Sequence, residues 1–356
     1  MELCPGKLNK NELTTREREI FQAIVDGFIH NAEPVGSRYL YKHYDLKISP
    51  ATIRNVMADL EDRGLIWQPH TSAGRVPTTH GYRTYVDSLG KSAELTDEEQ
   101  RSIIEKFEQF SQDISQIISK TAQILSNISN QLGVVLSPRF IRGRLQKIEL
   151  IPIASQKLLL LLSVRSGLVK TVIIEIDTDF SKDFLIELSQ VINERVHGLS
   201  IEQLTDLFDE RFQDLDEKSK TLIGVIKEKT TGLLQLVPDG DFYFSGAKNV
   251  IINPEFDSRE KIGKILELLD RRDILVRVMS EHYQEGISIV IGEENSEELM
   301  QNCSMITTSF SIDGAIGTLG VIGPTRMQYA KIISLVQFMS DTLNYLVSKK
   351  NKNLPA

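Results

Sequence analysis

Hydrophobic positions along the chain change period several times, and each change predicts an element. Behind Thr15-x-x-Arg18, the residues Ile20, Ile24 and Phe28, with Phe21, Val25 and Ile29 beside them, recur at a 3–4 spacing that predicts a helix ending near Asn31. Glu33-Pro34-Val35-Gly36-Ser37 breaks the pattern, with Ser37 as the expected N-cap of a short helix, Arg38–Tyr44. Ser49 is expected to cap a third helix with Pro50 at its first position, where the missing N–H costs nothing. In that helix Ile53, Val56, Met57 and Leu60 share one face. Ala51, Asn55 and Ala58 lie opposite, flanked by Thr52, Arg54 and Asp59. Arg63-Gly64 reads as its C-cap, Leu65-Ile66-Trp67 as a buried strand, Gln68–Gly74 as a tight loop and Arg75-Val76-Pro77 as the return. Thr79–Val86 starts another helix. Helices followed by a basic hairpin make a winged helix-turn-helix.

Downstream of a hydrophilic linker at 90–96, Thr96 and Glu99 form a capping box for a long helix, about Asp97 to Leu132. Its apolar seam, from Ile103 and Phe107 to Ile128 and Leu132, has a nearly heptad rhythm. Such a seam fits a dimer coiled coil or a helix lying along a sheet, and the phenylalanines and Thr121 in it weigh towards the sheet. Three β-rich runs follow, Leu145–Ile153, Lys157–Val164 and Leu168–Ile176, the last two joined by a turn at Arg165-Ser166-Gly167. Asp183–Val196 reads as helix, and Leu199 to about Arg277 as helical and acidic, interrupted at Val237–Gly240 and by a short strand Asp241–Ser245. Strand character returns at Ile287–Ile291, Met305–Ile312 and Ala315–Ile322, before an amphipathic helix Arg326–Val347. The order predicts an α+β multidomain chain. A winged-helix domain at 1–90, frayed over 1–13, precedes an αβ domain begun in 91–198 and completed in 278–347. A helical module is inserted at 199–277, and 348–356 is a disordered tail.

Composition changes this picture in one respect. The 356 residues carry a net charge of −8, which seen alone argues against nucleic acid. The charge is unevenly spread: Thr14–Ser92 holds 10 Lys+Arg against 9 Asp+Glu, and Arg63–Arg83 holds three arginines, two histidines and no acid. Local charge decides contact with phosphate. Cys4 and Cys303 fit no disulfide framework or metal spacing, and the longest apolar run, Leu158–Leu162, is too short to span a bilayer. A cytoplasmic protein is expected.

Candidate chemistry concentrates in the same stretch. On the third helix Ala51 and Ala58 allow close approach to a groove and can touch thymine methyls. Asn55 has the paired donor and acceptor that match adenine, and Arg54 reaches guanine or phosphate, with Ser49 and Thr52 at the helix start. The competing reading of this face is a solvated polar surface, as on any amphipathic helix. In the hairpin His70, Thr71, Ser72, Gly74 and Arg75 offer hydroxyls, backbone N–H groups and a cation, with Arg83 flanking them. No carboxylate or thiolate lies at ligand spacing from His70 or His80, so no metal is expected. Gly-x-Ser-x-Gly, His-Glu-x-x-His and Walker patterns are absent from the sequence, and neither an enzyme nor a cofactor is expected. Gly317, Gly320 and Gly323 ahead of Arg326 read as strand-end and turn glycines rather than an anion site.

The run Ser49-x-Ala51-Thr52-Ile53-Arg54-Asn55-x-Met57-x-x-Leu60-Glu61, then Gly64-Leu65, then Gln68-Pro69-His70-Thr71-Ser72-Ala73-Gly74-Arg75-x-Pro77-Thr78 closely resembles the HrcA-type heat-inducible transcription repressors. Ile291-Gly292-Glu293-Glu294-Asn295 and Gly317-x-x-Gly320-Val321-Ile322-Gly323-Pro324-x-Arg326-Met327-x-Tyr329 resemble that family's C-terminal motifs. The resemblance implies a GAF-like αβ domain and an inserted dimerisation domain. It also implies a homodimer on an inverted-repeat operator ahead of chaperone operons, kept active by a GroE-type chaperonin. The alternative is a winged-helix regulator whose GAF-like domain senses a small effector. In Glu294-Asn295 and Gly323-Pro324 only turn chemistry is legible.

Overall fold

The computed structural model describes residues 13–90, 95–108, 114–138, 143–165, 169–236, 242–281, 286–312 and 315–351. The chain divides into two compact units. The first combines Met1–Glu94 with Val290–Ser304 and Gly323–Ser334; the second takes Leu95–Ile289, Met305–Ile322 and Leu335–Ala356.

In the first unit α1 (Thr15–Asn31) is opened by Thr14, whose hydroxyl accepts from Glu17 N–H while the Glu17 carboxylate accepts from Thr14 N–H. This reciprocal arrangement satisfies two donors that a helix start otherwise leaves open. The helix α2 (Ser37–His43) has Gly36 at its N-cap, and Ser37 is a buried first residue instead of the expected cap. Ser49 caps α3 (Pro50–Asp62) by accepting from Thr52 N–H at 3.1 Å, and Ile53, Val56, Met57 and Leu60 are its buried face. The wing pairs β1 (Ile66–Trp67) antiparallel with β2 (Val76–Pro77), Ile66 opposite Pro77 and Trp67 opposite Val76. Alternation turns Ile66 inward and leaves Trp67 49 % exposed, against the expectation that the whole strand is buried. Thr78 caps α4 (Thr79–Ser88).

The second unit opens with α5 (Asp97–Glu108) and α6 (Ile114–Ser129). The middle of the expected long helix, 109–113, lies outside the described residues, and its end differs from the expectation. Asn130 takes a left-handed conformation (φ 56°) and closes α6, and Leu132, read as the last seam residue, begins the buried strand β3 (Leu132–Leu136). A Cβ at Gly133 would lie 2.2 Å from the Ala122 carbonyl oxygen, so glycine lets α6 sit directly on β3.

Strands β4 (Leu145–Ala154), β5 (Lys157–Val164) and β6 (Val169–Glu175) form an antiparallel sheet of their own, order β4-β5-β6. Its inner face shares one core with α7 (Lys182–Val196), α8 (Ile201–Phe212) and α9 (Glu217–Leu236), running from Leu145 to Ile226. The boundary expected between 198 and 199 therefore falls inside a single core. A second sheet has the order β7-β3-β10-β9-β8, built from β7 (Phe242–Ser245), β8 (Ile287–Ile291), β9 (Cys303–Ile312) and β10 (Ala315–Pro324). The early β-rich runs and the late ones thus belong to different sheets, and the strand that joins the late ones is β3, hidden in sequence at the end of a helical pattern. Gly317 and Gly320 lie within β10. The remaining helices are α10 (Ala247–Ile251), α11 (Arg259–Asp270), α12 (Arg272–Glu281) and α13 (Tyr329–Asn351). Residues 166–167 and 237–240, expected as turns, 91–94, expected in a linker, 1–12, expected to fray, and 352–356, expected in a disordered tail, lie outside the described residues. Residues 348–351, expected in the tail, are the last turn of α13. No helix among the described residues is long and apolar enough to cross a membrane.

Candidate nucleic-acid interface

Burial of Ile53, Val56, Met57 and Leu60 fixes the rotation of α3 and turns the opposite side outward. Ala51, Arg54, Asn55 and Ala58 are all exposed on that side, with Thr52 partly exposed beside them. Among the described residues the side chains of Arg54 and Asn55 make no hydrogen bond or ion pair. Ser49, also exposed, has its hydroxyl committed to the cap and 3.0 Å from Thr52 Oγ1. The face therefore offers an amide and a guanidinium between two small residues, free to bond elsewhere.

The wing tip is held by Gln68, whose Nε2 donates to the carbonyls of Thr71 and Ala73, each at 3.0 Å, while Ala73 N–H donates to His70. His70, Thr71 and Ser72 are exposed on this braced turn. Gly74 is there for a different reason than ligand approach. Val35 and Arg75 exchange backbone hydrogen bonds of 2.9 and 2.8 Å, and a Cβ on Gly74 would lie 2.4 Å from the Val35 carbonyl carbon.

The arginines read as a basic stretch are each paired. Arg63 Nη2 meets Glu17 Oε1 at 3.0 Å. Arg75 donates from Nε and Nη2 to Glu61 Oε2 at 2.9 and 2.8 Å. Arg83 donates from Nε to Glu294 Oε1 at 2.8 Å and from Nη2 to Glu294 Oε2 at 2.5 Å, with Asp87 3.4 Å from Nη1. The expectation that Arg63–Arg83 presents three uncompensated charges is thus corrected: carboxylates from elsewhere in the chain offset each one. Arg75 braces the wing against α3, and Arg83 faces Glu294 instead of lying free beside the wing. Arg38 and Lys42 on α2, Lys47 in the following turn and Arg54 on α3 are exposed and make no ion pair among the described residues. The α2–α3 turn, Tyr41 to Pro50, lines an open concavity. Sequence reading passed over Arg38, Lys42 and Lys47, although their basic character ahead of the third helix was visible.

The C-terminal motifs enter the same unit. Glu294 Oε2 also accepts from Ile291 N–H at 2.8 Å, and the buried Asn295 puts Nδ2 within 3.2 Å of the carbonyls of Gly292, Met300 and Cys303. Partial burial pushes the Glu294 carboxyl up, but the bonds from Arg83 and Ile291 outweigh it and hold it below its ordinary value. The bond to Glu294, against partial burial and with help from Asp87, raises Arg83 above its ordinary value. Tyr82 packs its ring against Tyr329 with centroids 5.8 Å apart. The Tyr329 hydroxyl, buried and pushed upward in pKa for that reason, lies 2.8 Å from Ser304 Oγ and donates to Thr325 O. Arg326 Nη1 donates to the carbonyl of Ile29, near the C-terminal end of α1, at 2.7 Å. Among the described residues no group of three or more His, Cys, Asp or Glu is placed to hold a metal ion.

Comparison with known proteins agrees along the chain. Residues 115–333 match the family described as HrcA protein C terminal domain. The heat-inducible transcription repressor HrcA of Chlorobium phaeobacteroides (strain BS1) is 35 % identical over 353 residues, covering 95 % of this chain and 99 % of that protein. The HrcA of Pelotomaculum thermopropionicum is 38 % identical over 341 residues, covering 95 % and 98 %. A crystal structure described as that of a hypothetical protein at 2.2 Å resolution shares the fold, with a TM-score of 0.63 at 20 % identity over 95 % of this chain and 99 % of that one. The chain belongs to the HrcA family of heat-inducible transcription repressors.

Proposed function

We propose that this chain represses chaperone operons by binding an inverted-repeat operator as a homodimer, with α3 in the major groove. The observation that carries the reading is the outward face of α3, where Arg54 and Asn55 stand exposed between Ala51 and Ala58 with their polar groups uncommitted. Asn matches adenine and Arg matches guanine through paired hydrogen bonds, and small neighbours permit the approach. Ser49 and Thr52 lie where the helix start meets the DNA backbone. Arg38, Lys42 and Lys47 supply phosphate contacts on one side of α3, and His70, Thr71 and Ser72 on the wing supply them on the other. Arg75 and Gly74 serve this interface by holding the wing's shape. Arg83 lies beside it, tied to Glu294.

The homodimer reading draws on the outer face of the β4-β5-β6 sheet. Ile151, Ile173 and Val169 are exposed there, and Leu159, paired with both Ile151 and Ile173, is only partly covered. An apolar sheet face of this kind is a common association surface. Maintenance by a GroE-type chaperonin rests on family resemblance, as do the GAF-like character of the second unit and the identity of the operons. Operator selectivity tests the proposal. Arg54→Ala or Asn55→Ala is expected to abolish discrimination between operator and scrambled DNA in a gel-shift competition while the dimer persists in sedimentation. Unchanged discrimination removes α3 as the reading element.

A further inference from the structure

The winged helix is fastened to the C-terminal segments at three separate points. Arg83 and Glu294 form a two-bond fork, Tyr82 stacks at an angle on Tyr329, and Arg326 reaches the Ile29 carbonyl near the end of α1. The fork has directional character, because a planar guanidinium on a carboxylate fixes orientation as well as distance. Its acceptor is itself fixed: Ile291 N–H holds Glu294 Oε2, and Asn295 knits the loop that carries it. A single tie leaves an attached body free to swivel. Ties on α4 and on the far end of α1 do not.

We propose that Glu294 is a positioning residue for operator reading: through Arg83 it orients the winged helix on the segments 290–304 and 323–334, so that two copies of α3 in a dimer address half-sites at one spacing and phase. This rests on the dimeric operator reading above. The fork's side chains keep 27 % and 33 % exposure, so it adds only modestly to stability, and what distinguishes it is orientation. Glu294 touches no DNA. Its loss leaves the affinity of one winged helix for one half-site intact and releases the relation between the two.

The test uses the full chain and an inverted repeat selected from random duplexes by the wild-type protein, together with a single half-site and repeats whose spacer is changed stepwise. The variants are Glu294→Gln and Arg326→Met. For wild type, moving the half-sites by half a helical turn, about 5 bp, is expected to weaken binding about tenfold or more. Glu294→Gln and Arg326→Met each flatten that loss to about threefold or less with half-site affinity unchanged. Two independent release variants keep the test open should either fold poorly, which melting curves report. A wild-type spacing profile in both folded release variants overturns the proposal. So does a gain in half-site affinity with steeper salt dependence, which makes Arg83 a phosphate ligand freed by the change. Absence of any spacing optimum in the wild-type arm instead removes the dimeric operator reading, and this inference with it.

Discussion

Arg75, just before the returning strand of the wing, donates from both Nε and Nη2 to one carboxylate oxygen, Oε2 of Glu61 in the last turn of α3, within 2.9 Å. The wing is thereby tied to the helix it follows. For a partly buried pair at the surface, a double-mutant cycle of Arg75→Ala and Glu61→Ala in urea unfolding is expected to give a coupling of about 1 kcal/mol. The salt dependence of DNA binding is expected to stay within about half a unit of slope for Arg75→Ala. A fall of about one full unit means that Arg75 leaves Glu61 for a phosphate on binding.

Glycine substitutions separate close packing from open surface. A Cβ at Gly74 meets the backbone of Pro34 and Val35 at 2.5 and 2.4 Å, while one at Gly224, exposed on α9, meets nothing within 4 Å. Gly74→Ala is expected to cost about 2 kcal/mol or more by forcing the backbones apart. Gly224→Ala is expected to gain about 0.5–1 kcal/mol from helix propensity. Chemical denaturation of both variants checks the pair, and equal effects contradict it.

Acid is expected to weaken the first unit by a defined route. Burial raises the Glu17 carboxyl, but the bonds from Thr14 and the charge of Arg63 bring it below its ordinary 4.5; Glu294 is depressed against its own burial by Arg83 and Ile291. A carboxyl depressed in the folded state contributes stability that is full above its unfolded value and is lost as pH falls through the lower folded value. Stability of the wild type is therefore expected to decline below about pH 4.5, and less steeply in Glu17→Gln or Glu294→Gln. Melting temperatures across that range check it; parallel declines in variants and wild type count against these two carboxylates.

Cys303 is buried at the start of β9, and burial pushes its thiol up to about 12. A thiol is nucleophilic only as thiolate. Alkylation at pH 8, read by peptide mapping, is expected to spare Cys303 in the native protein and to label it after denaturation. Rapid native labelling means that this strand opens locally.

Sequence alone carried the parts of this fold whose causes are local. The faces of α3 follow from Ile53, Val56, Met57 and Leu60 at helical spacing, and its start from Ser49-Pro50, so core and outward residues were legible together. Charge was not legible in the same way. The partners of Arg63, Arg75 and Arg83 stand 46, 14 and 211 residues away, and a window counts only what lies within it. The strand β3 has no counterpart in the sequence reading, where the long helix runs to its first residue, Leu132, because so short a run suits either state; the left-handed Asn130 that separates them is a property of φ, not of hydrophobicity. The sheet partition was missed because β4–β6 resemble any strands until their register is known. Glu294-Asn295, read only as a turn, proved to be an acceptor and the amide that frames it.

The first unit is discontinuous in the chain, and this gives it a place in the order of synthesis. Its winged helix leaves the ribosome early, but Glu294, Tyr329 and Arg326 follow only after the whole stretch from Leu95 to Ile289 has been made. A long connecting loop adds only slowly to the entropy of closure, so the assembled unit tolerates the detour. Folding order does not. A nascent or arrested chain holds α3 before it holds the segments that complete its unit, and only a chain made through Ser334 carries both. The first unit is thus closed only late in synthesis, by residues from the last fifth of the chain.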